Sequence, residues 1–182
     1  PYWITEHIKI PNHKNRYMAT ASAKYEFADW INVTARAKMD RNNERRERMY
    51  DAGTNTLFAS KYGYYSKSNI ENQQIYGELL LNINKYFVDN TLNVTANVGG
   101  NFENNDYQSD YFGGKLKSVA NLFTFGNVDT SEKNLANQYG YHLKKRAIFG
   151  SAQIGYKSMA YLDVTARNDW SSTFKGTNTG SF

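Results

Sequence analysis

Hydrophobic and polar residues alternate along this chain with a period of two, and they do so in three pairs of segments. Over Arg16–Phe27 the odd positions are Tyr17, Ala19, Ala21, Ala23, Tyr25 and Phe27, and the even positions are Arg16, Met18, Thr20, Ser22, Lys24 and Glu26. A strand sends successive side chains to opposite faces, so this pattern predicts a strand that is greasy on one face and wet on the other. After a turn at Ala28-Asp29 the pattern resumes, with Ile31, Val33, Ala35, Ala37 and Met39 against Asn32, Thr34, Arg36, Lys38 and Asp40. The second pair sets Ile75, Gly77, Leu79, Leu81 and Ile83 against Gln74, Tyr76, Glu78, Asn82 and Asn84, with Leu80 out of pattern. Beyond a turn at Val88–Asn90, Leu92, Val94, Ala96, Val98, Gly100 and Phe102 oppose Thr91, Asn93, Thr95, Asn97, Asn101 and Glu103. The third pair has Ile148, Gly150, Ala152, Ile154 and Tyr156, a turn near Lys157–Ala160, then Leu162, Val164, Ala166 and Trp170. Its other face carries Ser151, Gln153, Lys157, Tyr161, Asp163, Thr165, Arg167 and Asp169.

Each strand is expected to run to about ten to twelve residues, the length a tilted strand needs to cross a bilayer. The connections alternate as well: short turns fall near residues 28, 89 and 159, and the stretches Arg41–Asn72 and Asn104–Leu143 are long. A soluble sandwich also alternates, but with shorter strands, more even connections and more edge proline. Charges at mid-strand on the polar face, Arg36, Lys38, Glu78, Asp163 and Arg167, suit a wide watery lumen. The expected fold is therefore all-β: a segment of an antiparallel transmembrane β-barrel. It has about six strands in three hairpins, with short periplasmic turns and long extracellular loops. The turns near 28, 89 and 159 are flanked by Tyr25, Phe27 and Trp30, by Tyr86 and Phe87, and by Tyr156 and Tyr161. Rings with one apolar and one wet edge suit a membrane interface.

Composition narrows the chemistry. The 182 residues carry a formal net charge of +5, with Tyr 15, Phe 10, Pro 2 and Cys 0. Without cysteine there is no disulfide framework, thiolate metal site or cysteine nucleophile. No run of about eighteen apolar residues offers a transmembrane helix. A ring content of 15% is too high for a disordered chain.

The run Tyr161-Leu-Asp-Val-Thr-Ala-Arg-Asn-Asp-Trp-Ser-Ser-Thr173 resembles the strand ending in R-N-D-W-S-S-T of the SusC/RagA family of TonB-dependent outer-membrane transporters. Pro1-Tyr2-Trp3 is similar to its N-P-Y-W segment, and Phe27-Ala-Asp-Trp30 to a short turn before an ascending strand. Leu116–Asn127 is similar to a loop written V-P-N-L-F-x-x-x-N, with Ala120 where proline is usual. The resemblance implies a barrel of about twenty-two strands around a plug. The 182 residues are then expected to be a partial barrel, lacking plug and TonB box, in the bacterial outer membrane. It further implies energised import of a glycan or peptide, a SusD-like surface lipoprotein as lid, and TonB acting through the missing plug. A ligand-binding or adhesion barrel, or a passive porin, is the alternative.

Candidate residues follow. Arg36, Lys38, Glu78, Asp163, Arg167 and Asp169 are expected to face the lumen with both signs mixed. Tyr64, Tyr65, Tyr111 and Phe112, in ring-rich long loops, are candidates to touch substrate or lid. The same rings would equally serve to pack the loops against one another. His7, His13 and His142 form no metal-ligand spacing, and no cofactor site is expected. Asp40, Asp163 and Asp169 lack identifiable catalytic partners, and Ser171 and Ser172 lack a nucleophile elbow, so no enzyme is expected. Gly99-Gly100 and Gly113-Gly114 are not followed by a helix and are not phosphate loops. Asn32-Val-Thr and Asn93-Val-Thr match the glycosylation pattern at mid-strand, by chance. Arg41, Arg45, Arg46, Arg48, Lys144, Lys145 and Arg146 would lie at the rim. Glu44 and Glu47 interrupt the first group, which argues against nucleic acid, and outer-membrane lipid or lipopolysaccharide phosphate suits these cations better. A plain solvated loop accounts for them more simply still.

Overall fold

The computed structural model describes residues 2–88, 91–132, 135–173 and 180–181. Pro1, Asp89 and Asn90 of the expected second turn, and Phe182 lie outside the described residues. The architecture is all-β. One antiparallel sheet holds six long strands: β2 (Asn12–Ala28), β3 (Ile31–Tyr50), β4 (Tyr64–Phe87), β5 (Leu92–Lys115), β6 (Ala136–Tyr156) and β7 (Ala160–Ser171). Two-residue strands β1 (Ile8–Lys9) and β8 (Gly180–Ser181) pair with β3 and β7 at its edges. A six-residue helix, α1 (Tyr2–His7), and a 3-10 turn at Phe125–Asn127 complete the elements.

The strands run further than the apolar alternation suggested. β4 and β5 have 24 residues each, β6 has 21 and β3 has 20. Much of what read as long loop is therefore strand: Arg41–Tyr50, Tyr64–Asn72, Asn104–Lys115 and Ala136–Leu143 all lie within these elements. Charged and amide residues occupy both faces along much of these extensions, with Met49, Tyr65 and Phe112 as exceptions, so the alternating signal fades while the backbone ladder continues. The true long connections are residues 51–63 and 116–135. At the third short turn, Lys157 and Ser158 have φ of 50° and 57°, and the Met159 N–H donates to the Tyr156 carbonyl at 2.9 Å. Positive φ at both residues makes the tight reversal, and Tyr156 pairs with Ala160 across a connection of three residues.

The chain divides into two compact units. The first comprises Pro1–Arg16, Arg41–Asn72 and Asp106–Tyr141. Its core is Tyr65, Leu116 and Val128, with Met49, Tyr62, Phe112, Phe123 and Leu135 packed around them. The Asn127 side chain ties the loop over this core. Its Oδ1 accepts from the Ser118 and Val119 N–H groups at 3.2 and 3.1 Å, and its Nδ2 donates to the Val119 and Leu122 carbonyls at 2.7 and 2.9 Å.

The second unit comprises Tyr17–Asp40, Gln73–Asn105 and His142–Phe182. Its register matches the alternation: Ala152 lies opposite Val164, Ile154 opposite Leu162, and Gln153 opposite Asp163. Directly opposed residues share a face. Ala147 is its single buried hydrophobic side chain among the described residues, while Leu79, Val98, Ile148, Leu162 and Val164 are all more than half exposed. Leu80, out of pattern in the sequence, finds Phe149 on its own side: a Cβ on Gly99 would lie 2.9 Å from Leu80 and 3.0 Å from Phe149. The Arg167 guanidinium then sits 5.6 Å from the Phe149 ring.

Candidate functional site

Two arrangements bring candidate residues together. The first is the polar face of the second unit. Arg36 donates to Glu78 at 3.3 Å, and Tyr76 donates its hydroxyl to the other oxygen of Glu78 at 2.7 Å. Arg167 reaches both oxygens of Asp169, at 2.8 and 2.7 Å, and Gln153 donates to Asp163 at 2.8 Å. Lys145 stands 3.7 Å from Glu103, which also accepts from Gln74 at 3.1 Å. Amides complete the lattice, Asn82 donating to Asn32 at 2.9 Å and Asn93 to Asn84 at 3.1 Å. Asn32 and Asn93, the two apparent glycosylation sites, are thus engaged within the sheet. Pairs on exposed faces contribute little stability each, but they balance most of the charge on this face. Of the six residues expected on it, Lys38 alone enters no pair described here.

The second arrangement is a set of tyrosines in the first unit. The Tyr50 and Tyr64 rings stack at 5.1 Å, and the Tyr64 and Tyr111 hydroxyls are 2.7 Å apart. Burial, then the Tyr64 hydrogen bond, pushes the Tyr111 phenol up to about 12, with Ser66 and Arg48 acting the other way. Tyr107 stacks on Tyr141 at 5.2 Å, and Tyr139 stands edge-on to both, at 6.1 and 6.2 Å. Tyr139 is 59% and Tyr141 40% exposed. Tyr107, Tyr139 and Tyr141 fall in the stretch Asn104–Leu143, which the apolar alternation leaves as a long loop. Their spacing along β5 and β6 becomes visible once those segments are known to be strands.

Tyr65 and Phe112 occupy a different place from Tyr64 and Tyr111. Tyr65 is buried in the loop core against Phe125 at 5.4 Å, and Phe112 meets the same ring edge-on at 4.9 Å. Burial and the Glu47 carboxylate raise the Tyr65 phenol. These two rings pack the loop.

Several of the remaining candidates have local partners. His7 bonds Asp51 at 3.0 Å and stacks on Trp3 at 3.8 Å. Arg41 pairs with Glu71 at 3.4 Å, Arg46 with Glu44 at 2.6 Å, and Arg45 with Glu47. Arg46 and then Asn12 hold the Glu44 carboxyl below its ordinary range. No group of three or more His, Cys, Asp or Glu residues suited to a metal ion occurs among the described residues. No helix is long and apolar enough to cross a membrane, which says nothing of strands.

A sheet with one exposed apolar face and one ion-paired face defines a β-barrel type of fold. Among solved structures the chain is similar to one described as the RagAB peptide importer in the 'open-open' state and to one described as the RagAB peptide transporter. Each likeness has a TM-score of 0.87 at 15% sequence identity and covers 100% of this chain. The chain spans 20% of the length of those chains, and at this identity the likeness is one of fold. No family model matches the chain, and no curated protein matches it.

Proposed function

We propose that this chain is part of an outer-membrane barrel that imports a large nutrient, a glycan or a peptide, in a TonB-dependent manner beneath a SusD-like surface lipoprotein. The observation that carries this reading is the second unit's pair of faces. Ile148, Ile154, Leu162 and Val164 stand exposed with almost no buried core beneath them, while the opposite face is satisfied by ion pairs and amides. In water such a sheet leaves its apolar surface uncovered, and in lipid that surface is solvated by hydrocarbon. The sequence resemblance to SusC/RagA transporters and the likeness to the RagAB folds support the same reading.

On this reading Arg36, Lys38, Glu78, Asp163, Arg167 and Asp169 line a lumen whose mixed signs do not select simple ions. The turns near 28, 89 and 159 are periplasmic. At those turns Lys85 lies 4.2 Å from the Trp30 ring and Lys157 lies 5.4 Å from Tyr156, an amphipathic belt suited to the interface. A strand of 24 residues rises about 80 Å along its axis, far more than a tilted crossing of a roughly 25 Å apolar band requires. On this reading the residues of β4 and β5 beyond such a crossing, Tyr64 and Tyr111 among them, are extracellular. Tyr64 and Tyr111, with Tyr107, Tyr139 and Tyr141, are the rings that meet substrate or lid; Tyr65 and Phe112 hold the loop beneath.

The test is uptake of labelled oligosaccharides and oligopeptides by cells expressing the full-length protein. Import of one class that stops when the proton gradient is collapsed supports the reading. Tyr64→Ala with Tyr111→Ala should slow it while the barrel still assembles. Uptake indifferent to the gradient would indicate a porin, and binding without uptake an adhesin.

A further inference from the structure

The apolar face of the second unit is not uniform. It is interrupted by a groove of about 1070 Å³ bordered by Gly77, Gly100, Phe102, Arg146, Ile148 and Trp170. Two glycines make it. A Cβ on Gly77 would lie 2.3 Å from the Phe102 ring, so the ring lies down over that strand. On Gly100 the neighbours of a Cβ would be the Ala147 carbonyl at 3.2 Å and Ile148 at 3.9 Å, which leaves a bare strip of backbone as floor. Arg146 is paired in register with Trp170, so both side chains leave the sheet on the same side, two residues along from Ile148. Lys144 shares that side by alternation.

Charge distinguishes this groove from the rest of the face. Arg146 is exposed and forms no ion pair among the described residues. The single carboxylate bordering the groove among those residues, Glu78, is engaged by Arg36 and Tyr76. The neighbouring Glu103 is engaged by Lys145 and Gln74. An apolar trough that ends at an unneutralised guanidinium and an indole complements a molecule with a hydrocarbon chain and a phosphate. Guanidinium binds phosphate oxygens through paired N–H donors, and its weak hydration suits an interfacial depth.

We infer that this groove is a binding site for an anionic phospholipid, one acyl chain lying along Gly100 against the Phe102 ring and the phosphate held by Arg146 with Lys144 beside it. The site rests on the membrane-barrel reading above, and its test separates the two. The full-length protein and its Trp170→Phe variant are placed in phosphatidylcholine nanodiscs doped with dibrominated phosphatidylglycerol or, in a parallel set, dibrominated phosphatidylcholine. The fluorescence difference between protein and variant isolates quenching of Trp170. A single cation near a membrane surface favours an anionic lipid about fivefold. Trp170 should therefore be quenched several-fold more efficiently by the brominated phosphatidylglycerol, and Arg146→Gln should remove about fivefold of that preference. Equal quenching by the two lipids, or a preference that survives Arg146→Gln, overturns the site while leaving the barrel intact. Absence of quenching by either lipid places Trp170 outside the bilayer and overturns the barrel reading with it.

Discussion

The Tyr64 hydroxyl lies 2.7 Å from the Tyr111 hydroxyl, across two strands whose facing residues the sequence separates by 47 positions. Burial and this shared hydrogen bond push the Tyr111 phenol up to about 12 from an ordinary value of 10.0. The folded state thus keeps a proton that the unfolded chain releases, so stability from this group is present below pH 10 and falls as pH rises toward 12. Alkaline titration followed at 295 nm should show late-titrating phenols, the latest of which is missing in Tyr111→Phe. A Tyr111→Phe curve identical to that of the parent would refute the assignment.

Gly113 offers a packing test with a built-in control. A Cβ there would lie 2.2 Å from the Ser66 Cβ and 2.5 Å from the Tyr65 carbonyl. Gly113→Ala must push β4 and β5 apart, at a cost of about 2 kcal/mol. A Cβ on Gly126 meets nothing within 4 Å, so Gly126→Ala should change stability by less than about 0.5 kcal/mol. Thermal unfolding in detergent compares the two; equal effects would contradict the close contact at Gly113.

Asn127→Ala should loosen the loop without dissolving the sheet. It removes four hydrogen bonds to Ser118, Val119 and Leu122 in a partly buried setting, worth about 3 kcal/mol locally. Amide exchange at residues 116–128 should accelerate on the order of a hundredfold while the β6–β7 hairpin stays protected. Uniform acceleration would mean that the loop and sheet open together.

The two faces of β6 should respond oppositely to a cation. Ile154 opposes Leu162 on the apolar face, and Gln153 opposes Asp163 on the polar one. Ala152→Arg, on the same face as Ile154 and further from the interfacial turn, should cost about 2 to 4 kcal/mol if that face meets hydrocarbon, and reduce the heat-modifiable folded form on gels. Gln153→Arg, next to a carboxylate, should assemble normally. Equal tolerance of both substitutions would place both faces in water.

By itself, the sequence determined where chain must be strand with one greasy side. The alternation through Gln74–Asn84 and through Ile148–Ala166 needs nothing beyond the period of two, and a turn near Lys157–Ala160 follows from it. It also determined which charges share a face, since Arg36 and Glu78, or Arg167 and Asp169, are placed by parity before any contact is known. What it left open is where the strands end. Arg41–Tyr50 and Asn104–Lys115 pair as strand through backbone bonds to their neighbours, and backbone bonds leave no mark in side-chain polarity when both faces are wet. The tertiary structure alone decided that Tyr64 meets Tyr111 while the adjacent Tyr65 and Phe112 turn into a loop core. It likewise decided that Phe102 folds over Gly77 to open a groove beside Arg146. Those relationships depend on which strands are neighbours and in what register, and register belongs to pairs of strands that the chain separates by tens of residues.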